Sequence, residues 1–149
     1  MTAPMSNLDP RRTPEAALDH VLYEMEMLLA TFCHLRKLPE ANRFERNVCL
    51  ECFIVHARNL AEFINGSTNK DTITLLAFDL KIVPAQLQAV ATDITRMHKE
   101  VCHLGFERKT GPTDGNWDLN VLIKAFVKPC LGFLEEIAGR EDLLASSSN

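Results

Sequence analysis

Residues 48–64 read VCLECFIVHARNLAEFI, and this stretch decides the fold. Placed at 100° per residue around a helix axis, Val48, Cys49, Cys52, Phe53, His56, Leu60 and Phe63 form one stripe. Leu50, Ile54, Ala57 and Ala61 widen it, and only Glu51, Arg58 and Glu62 are left as a narrow polar strip. A helix that is apolar over most of its circumference must be packed on several sides. The stretch therefore predicts a central helix of about 40–64, opened after Pro39 and closed by Asn65-Gly66.

Working outward, Thr13-Pro14 is a helix start, a capping hydroxyl followed by proline at the first helical position. Leu18, Val21, Leu22, Met25, Leu28, Leu29 and Phe32 continue from it at helical spacing. This first helix is expected over 14–37 and ends at Leu38-Pro39, because proline disfavours helical geometry in the residue before it. Beyond the central helix, GSTNKD (66–71) is loop-like. Thr72 to Phe78 is β-branched and apolar, suited to a short helix or an extended piece. No second strand is there to pair with it, so it is read as a connector that caps the other elements.

Pro84 opens a third helix ending near Leu104-Gly105, with Leu87, Val90, Ala91, Ile94, Met97, Val101 and Cys102 on its buried face. After a polar loop, ERKTGPTDG, Asn116 can cap a fourth helix that begins at Trp117 and that Pro129 should kink or divide. The expected class is all-α, a four-helix up-down bundle with a capping connector between the second and third helices. Residues 1–12 are expected to be a flexible arm, 13–144 one helical domain and 145–149 a tail.

The 149 residues carry a formal net charge of -4, so no global basic field would gather nucleic acid non-specifically. Any RNA contact must come from a local patch. No stretch approaches the roughly 20 apolar residues that span a bilayer, and MTAPMSNLDPRR lacks the apolar segment of a secretory signal. The expected location is the cytoplasm, with no membrane partner. Five cysteines, an odd number, fit reduced thiols better than a disulfide framework.

Two polar constellations could carry chemistry. On the central helix, His56 and Asn59 share the apolar side, while Arg58 projects the other way between Glu51 and Glu62. As structure this is an ion-pair ladder beside a core histidine. As function it is a binding set, since charges on an enclosed helix need dedicated partners. On the third helix, Arg96 and His103 lie seven residues apart, two turns, so they share a face with Lys99 and Glu100 between them; Arg108 and Lys109 follow. As structure this is a solvated face with an Arg96–Glu100 pair. As function it suits RNA cleavage, with a neutral His taking the 2′-hydroxyl proton and an Arg stabilising charge on the phosphate.

Cys49-x-x-Cys52 with His56 offers three soft ligands, but a CxxC inside an apolar helix is more often a pair of small buried hydrophobes. Glu100-x-x-His103 has a ferritin-like spacing without the second copy such a site needs. No metal and no cofactor are therefore expected. No glycine-rich phosphate loop or nucleophile elbow is present.

At Arg96–MHKEVC–His103 the chain resembles the HEPN superfamily, helical bundles that carry Arg, four to six residues, then His. The match departs at Met97, where that motif usually has a polar residue. The resemblance implies a metal-independent ribonuclease or RNA-binding protein of toxin or defence type, acting as a homodimer, with Arg96 and His103 catalytic. Carried over residue by residue, the resemblance reaches only Arg96 and His103; the residues themselves add Lys99 and Arg108 as phosphate contacts and His56, Arg58 and Asn59 as a binding set. The alternative is a non-enzymatic interaction protein in which the polar groups of the central helix hold the bundle or a partner helix.

Overall fold

The computed structural model describes residues 13–66, 72–79, 91–97 and 117–140. The expected arm, the tail, most of the third helix, and the candidates Lys99, His103 and Arg108 lie outside the described residues. The protein is all-α. Its elements are α1 (Pro14–Leu35), α2 (Arg43–Asn65), a 3₁₀ turn (Leu75–Phe78), α3 (Ala91–Arg96) and α4 (Leu119–Ala138), with no strand among the described residues.

Local chemistry sets the ends. Thr13 Oγ1 accepts from the Ala16 amide at 3.2 Å, and Pro14 follows at the first position, as the sequence predicts. Helix α2 begins three residues later than expected because Pro39 opens a turn instead of a helix: the Asn42 amide donates to the Pro39 carbonyl at 3.1 Å. Gly66 closes α2 at φ 84°, a conformation that favours glycine. Helix α4 starts at Leu119, not Trp117. Its cap is Asp118, whose carboxylate accepts from the Asn120 and Val121 amides at 3.1 Å each, so Asn116 is not the cap. Pro129 does not divide α4, which runs unbroken through it.

The hairpin α1–α2 is antiparallel. His34, near the end of α1, meets Glu45, near the start of α2, at 2.9 Å, while Glu24, about three turns earlier on α1, meets His56, about three turns later on α2, at 2.7 Å. Helix α4 is antiparallel to α1 in turn. Phe32 and Leu35 share one cleft with Leu119 and Asn120, whereas Met25 and Leu28 share another with Phe126 and Cys130.

The core runs through Leu18, Val21 and Leu28 of α1, Phe53, Ile54, Ala57 and Leu60 of α2, and Leu122, Phe126 and Phe133 of α4. Met97 is fully buried with them. At one end three rings lock together edge to face. Phe133 stands 5.1 Å from Phe63 and 5.2 Å from Phe78, and Phe63 is 6.1 Å from Phe78. The 3₁₀ turn is thereby tied to α2 and α4, and Arg140 donates to the Phe78 carbonyl at 3.4 Å.

Four expectations about faces are corrected. Val48, placed on the apolar stripe, is 44% exposed, and Leu22 and Leu29 of α1 are 38% and 57% exposed. Ala91 is exposed rather than core-facing. In the first turns of α2 and along one edge of α1, the neighbouring helix covers less of the circumference than the apolar residues would fill.

Cys130 is half-buried, and burial pushes its thiol up to about 11. At pH 8 its thiolate fraction is then about one in a thousand. An alkylating reagent should label the exposed Cys33 promptly and Cys130 far more slowly, read by mass spectrometry of peptides from the labelled protein. Equal labelling rates at the two positions would contradict this.

Candidate functional site

Helix α1 places residues 17, 21, 24, 28, 31 and 35 in the register that faces the core, and position 24 of that register is a glutamate. Both oxygens of its carboxylate are engaged. His56 Nδ1 lies 2.7 Å from Glu24 Oε2, and Asn59 Nδ2 donates to Glu24 Oε1 at 3.1 Å. The acceptor being a carboxylate, the Nδ1 atom is assigned as the protonated one. The edge of the Tyr23 ring packs against the imidazole at 5.8 Å. Arg58, on the other side of α2, donates to Glu62 at 3.1 Å, and its Nε is buried with no hydrogen bond. Glu51 is exposed at the outer edge of the same strip.

The structure thus brings His56 and Asn59 together on one carboxylate and sets Arg58 apart on Glu62. Sequence reasoning missed Glu24. Its signal was present, a charged residue at a core register position three after Val21 and four before Leu28. A cleft of about 340 Å³ adjoins this cluster, lined by His20, Glu24, Asn59, Glu62 and Thr72 among others. Two carboxylates on its wall make it unsuited to an anion.

Removing Glu24 should be costly, because a buried donor left without its acceptor loses about 1–3 kcal/mol. Glu24→Ala strands both His56 Nδ1 and the Asn59 amide. Urea unfolding should show a loss of about 2–3 kcal/mol, and Glu24→Gln, which keeps one acceptor, about half of that. Equal losses for the two variants would contradict the account.

Arg96 sits elsewhere. It pairs with Asp93 at 3.2 Å, and its guanidinium lies over the Trp117 ring at 4.2 Å. Trp117 precedes α4 and lines the larger cleft, about 470 Å³, with Phe32, Leu35, Arg36, Arg46 and Asp118. Arg36 stands over Phe32 at 5.8 Å, while Arg46 donates to the Leu35 and Leu38 carbonyls at 3.3 and 2.8 Å. The turn from α1 to α2 therefore carries Arg36, Lys37, Arg43 and Arg46 against Glu40 and Glu45. This local cationic patch, with two aromatic rings beside it, also went unread in the sequence. Its signals were the basic run around Leu38-Pro39 and a lone tryptophan beside a polar loop.

Burial, followed by the neighbouring Glu45 carboxylate and Cys52, pushes the Cys49 thiol up, which disfavours the thiolate a metal would need. Among the described residues no cluster of three or more His, Cys, Asp or Glu side chains could hold a metal, and no helix is long and apolar enough to cross a membrane. In comparisons with known proteins, no family model, curated protein or solved structure matches the chain.

Proposed function

We propose that this protein binds single-stranded RNA in the cytoplasm, through the cleft between the α1–α2 turn and the start of α4. One observation carries the reading: Arg96 covers one face of Trp117, and Trp117 shares a cleft with Arg36 and Arg46. Proteins that bind single strands combine a cationic groove for the backbone with aromatic rings on which bases stack. An acidic protein can do this where the charge is local. The carboxylate of Asp118 already takes the first free amides of α4, so phosphate would be held by guanidinium groups and not by that helix end.

Under the HEPN resemblance Arg96, which stands over Trp117, belongs to a cleavage pair with His103. Arg96, oriented by Asp93 and Trp117, would stabilise charge on the phosphate. His103 would take the 2′-hydroxyl proton and return a proton to the leaving oxygen. Lys99 and Arg108 would add phosphate contacts. In this reading α3 completes an up-down four-helix bundle, with the 3₁₀ turn as its cap. The Glu24–His56–Asn59 cluster then serves to hold α1 on α2.

The test uses fluorescence anisotropy with a labelled single-stranded RNA, and gel analysis of the same RNA. Binding that weakens in Trp117→Ala supports the reading, and a parent protein that does not bind removes it. Cleavage lost in His103→Ala with binding retained supports the nuclease step. Absence of cleavage in the parent removes that step alone.

A further inference from the structure

Between α1 and α4 runs an open apolar groove of about 190 Å³, floored by Leu28 and Phe126. Leu22 and Leu29 on the α1 side, with Val127, Leu131 and Leu134 on the α4 side, are 38–57% exposed. Five large apolar side chains in one strip are more than scattered exposure, and such strips mark interaction surfaces. Thr13, where residues 1–12 join α1, stands at one end of the strip.

Spacing and charge say what the groove fits. In PMSNLDPRR (4–12), Met5, Leu8 and Arg11 recur at every third residue. Polyproline II has three residues per turn, so in that geometry the three side chains share a face, and Pro4 and Pro10 favour it. The lengths agree. Counted back from Thr13 at about 3.1 Å per residue, Leu8 reaches about 16 Å and Met5 about 25 Å. Counted forward along α1 at about 1.5 Å per residue, Leu22 lies about 14 Å from Thr13 and Leu29 about 24 Å. Charge varies along the same line. Near Thr13 both edges are acidic, with exposed Asp19 on α1 and exposed Glu135 at about the same level on α4, and Arg11 and Arg12 arrive there. Further along, Glu26 and Lys128 stand on opposite edges and offset one another, where Met5 to Leu8 brings no charge. Lys124 lies beyond, toward the far end.

We infer that residues 5–12 dock in the α1–α4 groove of their own chain, with Leu8 at the level of Leu22 and Leu134, Met5 at the level of Leu29 and Val127, and Arg11 and Arg12 beside Asp19 and Glu135. The inference is independent of RNA binding, because neither Trp117 nor Arg36 lines this groove.

The test is photo-cross-linking of the full chain with Leu8 replaced by p-benzoylphenylalanine, an apolar photoreactive residue. Products are separated on a denaturing gel and mapped by mass spectrometry, with circular dichroism as the check on folding. Cross-links should form within a single chain, from position 8 to residues 19–29 of α1 or 127–135 of α4. Asp19→Lys combined with Glu135→Lys turns two attractive contacts repulsive at exposed positions and should lower that yield about threefold or more. Lys124→Glu, at the far end, should leave it unchanged. Cross-links to other parts of the chain overturn the inference, as does the absence of any in the groove. Products found only between two chains overturn it too, since a second copy then fills the groove. A yield that the double charge reversal does not lower overturns the pairing of Arg11 and Arg12 and the register that depends on it.

Discussion

Phe133→Ala should lower the unfolding free energy by about 3–5 kcal/mol, the range for removing a fully buried phenylalanine ring. Phe133 has no exposed surface and sits within 5.2 Å of two other rings, Phe63 and Phe78. Truncation removes two edge-to-face contacts, worth about 0.5–1.5 kcal/mol each beyond their area, and opens a cavity between α2, the 3₁₀ turn and α4. The backbone there resists collapse. Helix α4 is unbroken on both sides of the site, and Arg140 anchors Phe78 from the next turn. The loss should thus lie toward the upper end. A domain of this size has about 5–15 kcal/mol in all, so the change takes a large fraction of it. Urea unfolding gives the number. A loss below about 1 kcal/mol would mean that the three rings do not form the packed corner described.

The second large effect concerns the proposed RNA cleft. Stacking of a base on an aromatic ring is worth about 1–3 kcal/mol by alanine substitution, so Trp117→Ala should weaken RNA binding about 5- to 150-fold. Arg36→Gln acts differently. Loss of one phosphate contact lowers the slope of log affinity against log salt by about 0.7 for a single strand and weakens all sequences alike. Arg46 makes a poorer probe, because it also holds the Leu35 and Leu38 carbonyls at the end of α1, and its removal mixes stability with binding. The two variants together separate base from backbone contact. If Trp117→Ala binds as the parent does, the ring is packing for Arg96 and the cleft is not a stacking site.

Helix class and the first cap were legible in the sequence because both are local. Thr13-Pro14 and Asn65-Gly66 each act through their own backbone, and the stripe of residues 48–64 follows from periodicity alone. What was not legible was pairwise and distant. Glu24 lies 32 residues before His56, and Trp117 lies 21 after Arg96; nothing in local spacing joins either pair. The α2 start was misplaced for a local reason: proline is as good a turn former as a helix opener, and the Pro39–Asn42 hydrogen bond took the first role. Exposure of Val48 and Leu29 escaped notice because apolar periodicity says which residues could be buried, while the neighbour decides which are.

Glu24 has a consequence beyond its hydrogen bonds. Leucine, isoleucine and alanine side chains along α1 and α2 can exchange neighbours, so sliding one helix past the other by a turn, about 5.4 Å, would leave much of the apolar packing intact. It would not leave His56 and Asn59 on a single carboxylate. The observed alignment satisfies both donors, and a one-turn slip would set Leu28 or His20 at that level in place of the carboxylate. Glu24 is in this sense an index mark, a polar group that adds little to how tightly the two helices adhere and much to which of several nearly equal alignments they keep.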